Sequence, residues 1–232
     1  MISKQQDLCC LRQEALNIKG SFIMIELYGS PTPSAYTIAI MLEEVGFNYS
    51  VFPINKSNDE QLELEFLKMT PNNIFPVILD REGPDKKPLV IFEPGAILLY
   101  LAEKSGKFMP GKSAEKFDVL QWLLFENSKI GPTLGNTKHF MYHAPEELPY
   151  AVKRFNNEAK RIFSIIEKQL SENEFMAGEY SIADIATFPW VKEYERYGMT
   201  EEQIPNVCAW IEKLSERKAV AKGLEVLEDL KE

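Results

Sequence analysis

Cysteine and histidine are scarce in this chain. There are three cysteines, Cys9, Cys10 and Cys208, and two histidines, His139 and His143. Cysteines so few and so spaced build neither a disulfide framework nor a zinc site. Two histidines argue against a His-based metal centre, so no metal is expected. The scarcity of cysteine fits a reducing, cytoplasmic compartment. Positive charge is not in excess either: the net charge is −9 and no basic stripe interrupts the acidic surplus. Phosphate backbones need such a stripe, which argues against nucleic acid as a partner. No apolar run approaches the length of a membrane span, so no membrane partner is expected. Residues 1–23 lack the apolar centre of a signal peptide and carry acidic Asp7 and Glu14. They read as an N-terminal extension without structure of its own, or as an upstream start.

What is present is ordinary globular material, enough for one large domain or two small ones. Residues 24–28 (MIELY) predict a strand, followed by the turn-rich GSPTPS. Residues 35–45 have helical apolar spacing, with Gly46 placed as a C-cap. Strands are predicted at 49–54, 75–79 and 89–92, a short helix near 60–67 and a helix at 95–104. The order β-α-β-α-β-β-α fits a small mixed sheet, its first strands parallel and its last two a hairpin. Beyond the linker MPGK the period is helical. Helices are predicted at 117–130, stopped by Gly131–Pro132, and at 146–170, 181–194 and 207–214. The run Ser181–Asp184 reads as an N-terminal capping pattern. The expected fold is therefore α/β plus all-α: residues 24–107 as one domain and 108–232 as a helical one.

Three stretches can carry chemistry. In IFEPGAILLYLAEK a strand runs directly into a helix with Glu93 and Pro94 at the junction. Pro is comfortable at the first helical position and an acid beside a helix N-terminus is ordinary, so this is a mere cap or a place to hold a zwitterion. In PNNIFPVILD, Pro76 falls one residue into an apolar strand and removes a ladder donor, so the strand should be an edge or the bond special. A cis Phe75–Pro76 bond would turn the Phe75 backbone outward, where it can pair with an extended peptide. The TPS turn places Thr32 and Ser34 just before a helix, where either hydroxyl can cap it; Tyr28 and Ser30 carry further hydroxyls beside it. Trp122, Phe140, Met141 and Tyr142 line either an acceptor pocket or simply the core.

MIELYGSPTPS, PNNIFPVILD, FEPGAILLYLAEK and GEYSIADIATFPW, in this order and spacing, resemble the glutathione transferase superfamily, from residue 24 to the end of the chain. Within it, TPS, LGNTKHF and LPYAVKRFNNE are most similar to the nu-class bacterial disulfide-bond reductases and to the fungal nitrogen-regulator relatives. The resemblance implies a thioredoxin-like domain followed by an all-helical one, a homodimer, and glutathione as cosubstrate with a small electrophile or disulfide as acceptor. It implies that Glu93 meets the γ-glutamyl ammonium and that Phe75, beside cis Pro76, pairs with the cysteinyl part. It assigns Gln61 to the glycyl end and brings Arg154 toward the ligand. Thr32 and Ser34 would poise the glutathione sulfur; Ser34 stands where nu-class members have Asn. Read without the resemblance, Gln61 and Arg154 are solvated helix positions. The family's usual Ser is replaced by Pro94, which removes one hydroxyl and one N–H from the carboxylate's side. That loss costs roughly 2–5 kcal/mol if nothing replaces the two bonds. The implied function is a glutathione-dependent transferase or disulfide-bond reductase. The alternative is a non-catalytic binding or regulatory protein on the same fold. No cysteine lies near the TPS turn, so the thiol must come from bound glutathione.

Overall fold

The computed structural model describes residues 24–55, 58, 60–111 and 114–228, without the side chains of residues 61, 64 and 65. The expectation for residues 1–23 lies outside the described residues. Four strands form one mixed sheet in the order β2-β1-β3-β4. They are β1 (Ile25–Gly29), β2 (Tyr49–Pro53), β3 (Val77–Asp80) and β4 (Leu89–Phe92). Strand β1 runs parallel to β2 and antiparallel to β3, and β3 pairs antiparallel with β4.

The alternation of side chains along β1 separates two faces. Ile25 and Leu27, with Ile78 of β3, join the main core under helices α1 (Pro33–Val45) and α3 (Pro94–Ser105). Tyr28, Val77 and Val90 instead pack with Phe66 and Met69 of the short helix α2 (Leu64–Met69). Two buried acids are tied at the sheet. Glu26 accepts from Arg81 Nε at 2.7 Å and from Tyr28 Oη at 2.6 Å. Asp80, fully buried, accepts from Tyr100 Oη at 2.6 Å and from Lys104 Nζ at 2.5 Å.

The helical half comprises α4 (Ala114–Phe125), α5 (Gly131–Tyr142), α6 (Pro149–Glu172), α7 (Ile182–Val191), α8 (Pro205–Ser215) and α9 (Lys218–Glu228). The capping expectation holds at α7, where Ser181 N donates to Asp184 Oδ2 at 3.0 Å and Ala183 N donates to Ser181 Oγ at 3.3 Å. The other oxygen of Asp184 accepts from Met176 N at 2.8 Å and from Trp210 Nε1 at 3.0 Å.

Two expectations are corrected. Gly131–Pro132 does not stop the helix: residues 126–130 form one turn of π-helix between α4 and α5, and Gly131 N donates to Glu126 O. Widening the turn accommodates a proline that has no N–H and would crowd the preceding carbonyl in a regular helix. Pro76 does not lie within a strand. β3 begins at Val77, so Pro76 costs the ladder nothing, and β3 is an interior strand rather than an edge. The Phe75–Pro76 bond is cis, as expected.

Helix α1 is enclosed by the sheet, α3, α7 and α9, with eight of its residues buried. α9 crosses it at Gly223, where an added Cβ would stand 2.6 Å from both N and Cα of Ile40. The C-terminal end of α1 is pinned electrostatically. Arg217 grips Glu44 at 2.6 and 2.9 Å and lies 3.9 Å over the Tyr180 ring, and Lys222 reaches Glu43 at 2.7 Å. Gly223→Ala tests this seat. A methyl gains roughly 1 kcal/mol of helix propensity over glycine, but forcing the backbones apart costs about 1–3 kcal/mol or more. At the middle of that range a net loss of stability of about 1 kcal/mol is expected, lowering the midpoint of thermal unfolding by about 2–4 °C. An unchanged or raised midpoint would show that α9 does not seat on Ile40.

Candidate functional site

Strand register assembles the site. Tyr28 pairs with Val77 and Val77 with Phe92, so β1 ends, β3 begins and β4 ends along one rim of the sheet. Gly29 pairs with Pro53, which brings the end of β2 to the same rim. The segments that leave these strand ends therefore converge there. They carry Thr32 and Ser34, the short turn containing Gln61, the Phe75–Pro76 pair, and Glu93 with Pro94. Helices α1 and α3 both begin at this rim and pack against each other, so two N-terminal dipole ends open on it.

Thr32 is the extended N-cap of α1, and its Oγ1 accepts from Ala35 N at 3.3 Å. The bond uses an acceptor lone pair and leaves the hydroxyl proton to donate. Ser34 is half-buried in the first turn, and its hydroxyl has no partner among the described residues. Tyr28 is engaged elsewhere: it stacks on Phe52 at 5.0 Å and donates to Glu26, and burial pushes its pKa well up.

Glu93 is not a side-chain cap of α3. It occupies the N-cap position of α3, yet its side chain makes no capping bond; only its carbonyl takes part, accepting from Ile97 N at 3.0 Å. Its φ of 71° lies where side-chain-bearing residues are rare, at a cost of about 1–3 kcal/mol. The exposed carboxylate has no partner among the described residues. Pro94 follows at the first helical position, and then comes Gly95, buried against the helical half. A Cβ on Gly95 would meet the Asn127 amide at 2.8 Å, and that amide is itself anchored by donating to Leu123 O at 2.9 Å. Asn127 was not legible in the sequence, because FENSKI reads as regular helix. Its one signal was Gly131–Pro132, which demands an irregular turn just beyond it.

The remaining expected residues lie elsewhere. Arg154 is exposed on α6. Trp122 sits edge-on to Phe125 at 5.6 Å and Phe140 stacks on Phe155 at 5.2 Å. Tyr142, 52% exposed, donates to Arg196 O at 2.8 Å, and Met141 beside it is half-buried. A cavity of about 550 Å³ between the linker and the turn at 177–181 shares no lining residue with the rim. Among the described residues no cluster of His, Cys, Asp and Glu is placed to hold a metal, and no helix is long and apolar enough to cross a membrane.

Comparison with known proteins identifies the family. Residues 24–103 match the family model "Glutathione S-transferase, N-terminal domain" and residues 132–218 the corresponding C-terminal domain. The chain is 39% identical over 203 residues to the disulfide-bond oxidoreductase YfcG of Escherichia coli, covering 87% of this chain and 94% of that protein. A glutathione transferase from Pseudomonas putida, with one glutathione disulfide bound per subunit, superposes with a TM-score of 0.82 at 41% identity, over 87% of this chain and 90% of that one. A family member from Pseudomonas fluorescens with two glutathione bound gives 0.85 at 38% identity, over 96% and 97%.

Behind Gly95, the π-turn holds a second unusual group. Glu126 is 5% exposed, hydrogen-bonds Trp190, and is pushed up to about 8 by burial. Between its ordinary pKa of 4.5 and 8 the folded protein keeps a proton that the unfolded chain releases. Its stabilising contribution is thus present below 4.5 and is lost as pH rises through that window, with a slope of roughly 1.4 kcal/mol per pH unit. Glu126→Gln keeps an acceptor for Trp190 and removes the titration. Urea unfolding at a series of pH values should show the variant gaining on the parent from pH 5 to 8. Parallel stability curves would place Glu126 in contact with water.

Proposed function

The chain belongs to the glutathione S-transferase family, and we propose that it uses bound glutathione as its thiol to reduce disulfides or to attack small electrophiles. The observation that carries this reading is the rim, where a carboxylate without an internal partner stands beside two helix N-termini. Glu93 takes the γ-glutamyl ammonium, and Gly95 N–H with the α3 dipole takes the adjoining carboxylate. The Phe75 backbone pairs with the cysteinyl part, Gln61 with the glycyl end, and Arg154 approaches from the helical half. Thr32 and Ser34 donate to the sulfur and favour its thiolate over the thiol.

With a disulfide acceptor the balance is simple. The glutathione thiolate attacks one sulfur, forming a mixed disulfide and expelling one thiolate. A second glutathione thiolate attacks the glutathione sulfur of that mixed disulfide and expels the other. Two glutathione thiols are oxidised to one disulfide while the acceptor is reduced to two thiols. Among the described residues no cysteine lies at the rim, so on this reading both thiols are bound or arrive from solution. A reducing, cytoplasmic setting rich in glutathione fits that demand.

A second reading rests on Pro94: with two donors fewer, the fold can bind partners without turning over. Calorimetric titration with glutathione separates the two. Glu93→Ala should weaken binding at least about tenfold, since a hydrogen bond to a charged group contributes about 1.5–3 kcal/mol. Pro94→Ser should tighten binding roughly tenfold, about 1.4 kcal/mol. If both variants bind like the parent, the ligand does not sit at this junction. If parent and Pro94→Ser both fail to bind, the non-catalytic reading takes the lead.

We further propose a homodimer. Phe117 and Leu124, one heptad apart on α4, are 66% and 62% exposed, and a second copy would cover them. Analytical sedimentation should give twice the chain mass of 26.6 kDa at micromolar concentration. A concentration-independent monomer would rule the dimer out.

A further inference from the structure

The π-turn brings a side-chain amide to the start of α3. A Cβ on Gly95 would stand 2.8 Å from Asn127 Nδ2 and 2.9 Å from its Oδ1, so the amide fills the space a side chain would take. Two bonds separate a Cβ from its own backbone nitrogen, which puts Nδ2 at most about 5 Å from Gly95 N. The orientation of the amide is set by Leu123 O, an acceptor that only the nitrogen end can satisfy, at 2.9 Å. That bond uses one of the two Nδ2 protons. Among the described residues the Asn127 side chain makes no other hydrogen bond, and it is half-buried rather than sealed in the core. Its neighbour Glu126 is buried and hydrogen-bonds Trp190, which fixes the turn that presents the amide. A donor proton therefore lies beside Gly95 N–H, next to the position where Pro94 takes away a hydroxyl and an N–H.

We propose that Asn127 binds the α-carboxylate of the γ-glutamyl end, donating its free amide proton alongside Gly95 N–H in place of the hydroxyl that Pro94 removes. This rests on the glutathione reading above and adds to it a residue from the helical half. Two hydrogen bonds of about 2.9 Å, one to each oxygen of a carboxylate, span donors about 5 Å apart. The amide is neutral, so it brings no charge to repel the ammonium held by Glu93. A hydroxyl at position 94 would ride on α3 itself. Asn127 instead reaches the carboxylate from another element, so the ligand ties the helical half to α3. A ligand without that carboxylate gains nothing from Asn127.

The test compares two ligands and two backgrounds. The ligands are glutathione and 4-aminobutyryl-cysteinylglycine, which keeps the ammonium and lacks the α-carboxylate. Dissociation constants are read by titration followed by protein NMR, which reaches millimolar affinities. Asn127→Ala should weaken glutathione binding about tenfold, as loss of a hydrogen bond to a charged group does. It should leave binding of the analogue unchanged. Asn127→Asp keeps the shape but sets a carboxylate against a carboxylate, and should weaken glutathione binding further. In the Pro94→Ser background the restored hydroxyl shares the ligand, so Asn127→Ala should cost about threefold or less. Thermal unfolding of each variant shows that it is folded at the temperature of titration. If Asn127→Ala and Asn127→Asp bind glutathione like the parent, the inference is overturned while the glutathione reading stands. Equal weakening of both ligands would also overturn it, since Asn127 would then act only by packing α3. An undiminished loss in the Pro94→Ser background would show that Asn127 does not replace the hydroxyl. Failure of the parent to bind glutathione would remove the glutathione reading and this inference with it.

Discussion

The backbone contact between Gly223 and Ile40 fixes α1, and through α1 it fixes the rim. α1 is apolar on nearly every side, which suits a helix wrapped by other elements rather than one lying on a surface. Its C-terminal end is bound by Glu43 and Glu44 to Lys222 and Arg217, and its middle is pressed by α9. Its N-terminal turn accepts Thr37 Oγ1 at Pro33 O, at 3.1 Å. With the helix held along its length, Thr32 and Ser34 have no freedom to drift from the sheet edge. Both hydroxyls are therefore positioned by the fold itself. The helical half is therefore part of the site although it places no hydroxyl in it.

The sheet was legible because its strands obey local rules. Residues 24–28 and 89–92 are short apolar runs bounded by turn residues, and Gly46 does adopt the left-handed cap its position suggests, with φ 77°. Ser181 and Asp184 were legible for the same reason: a capping box is written within four residues. The π-turn was not, because Gly131–Pro132 has the local chemistry of a helix stop. Only packing against α3, α6 and α7 makes continuing the helix more favourable than ending it. α9 was missed because its sequence, KAVAKGLEVLE, carries a glycine in the middle, which reads as a weak helix until Ile40 explains it. In the candidate site the hydroxyls and Glu93 were visible as residues. Their assembly was not, since it follows from register across four strands.

Glu93 and Pro94 pull in opposite directions on the chemistry of the junction. A residue with a side chain at φ 71° needs the surrounding structure to hold it there, and β4 ending at Phe92 and α3 starting at Pro94 both do. Pro94 contributes by fixing the first helical φ, which reduces the freedom of the unfolded chain and steadies the junction. The same ring deletes an N–H from the dipole end that would face an anion. The junction is thus more rigid and less hydrogen-bonded than a serine would make it. Rigidity lowers the ordering cost of binding, and the missing donors lower the gain.

Charge balance at the rim narrows what can sit there. Two helix N-termini supply about half a positive charge each. A simple anion would be drawn to them but repelled by Glu93, which has no cation of its own among the described residues. A simple cation would be drawn to Glu93 and repelled by the dipoles. A zwitterion with its ammonium and carboxylate on one carbon satisfies both, since the strand-to-helix step at Glu93–Pro94 puts the two demands one residue apart.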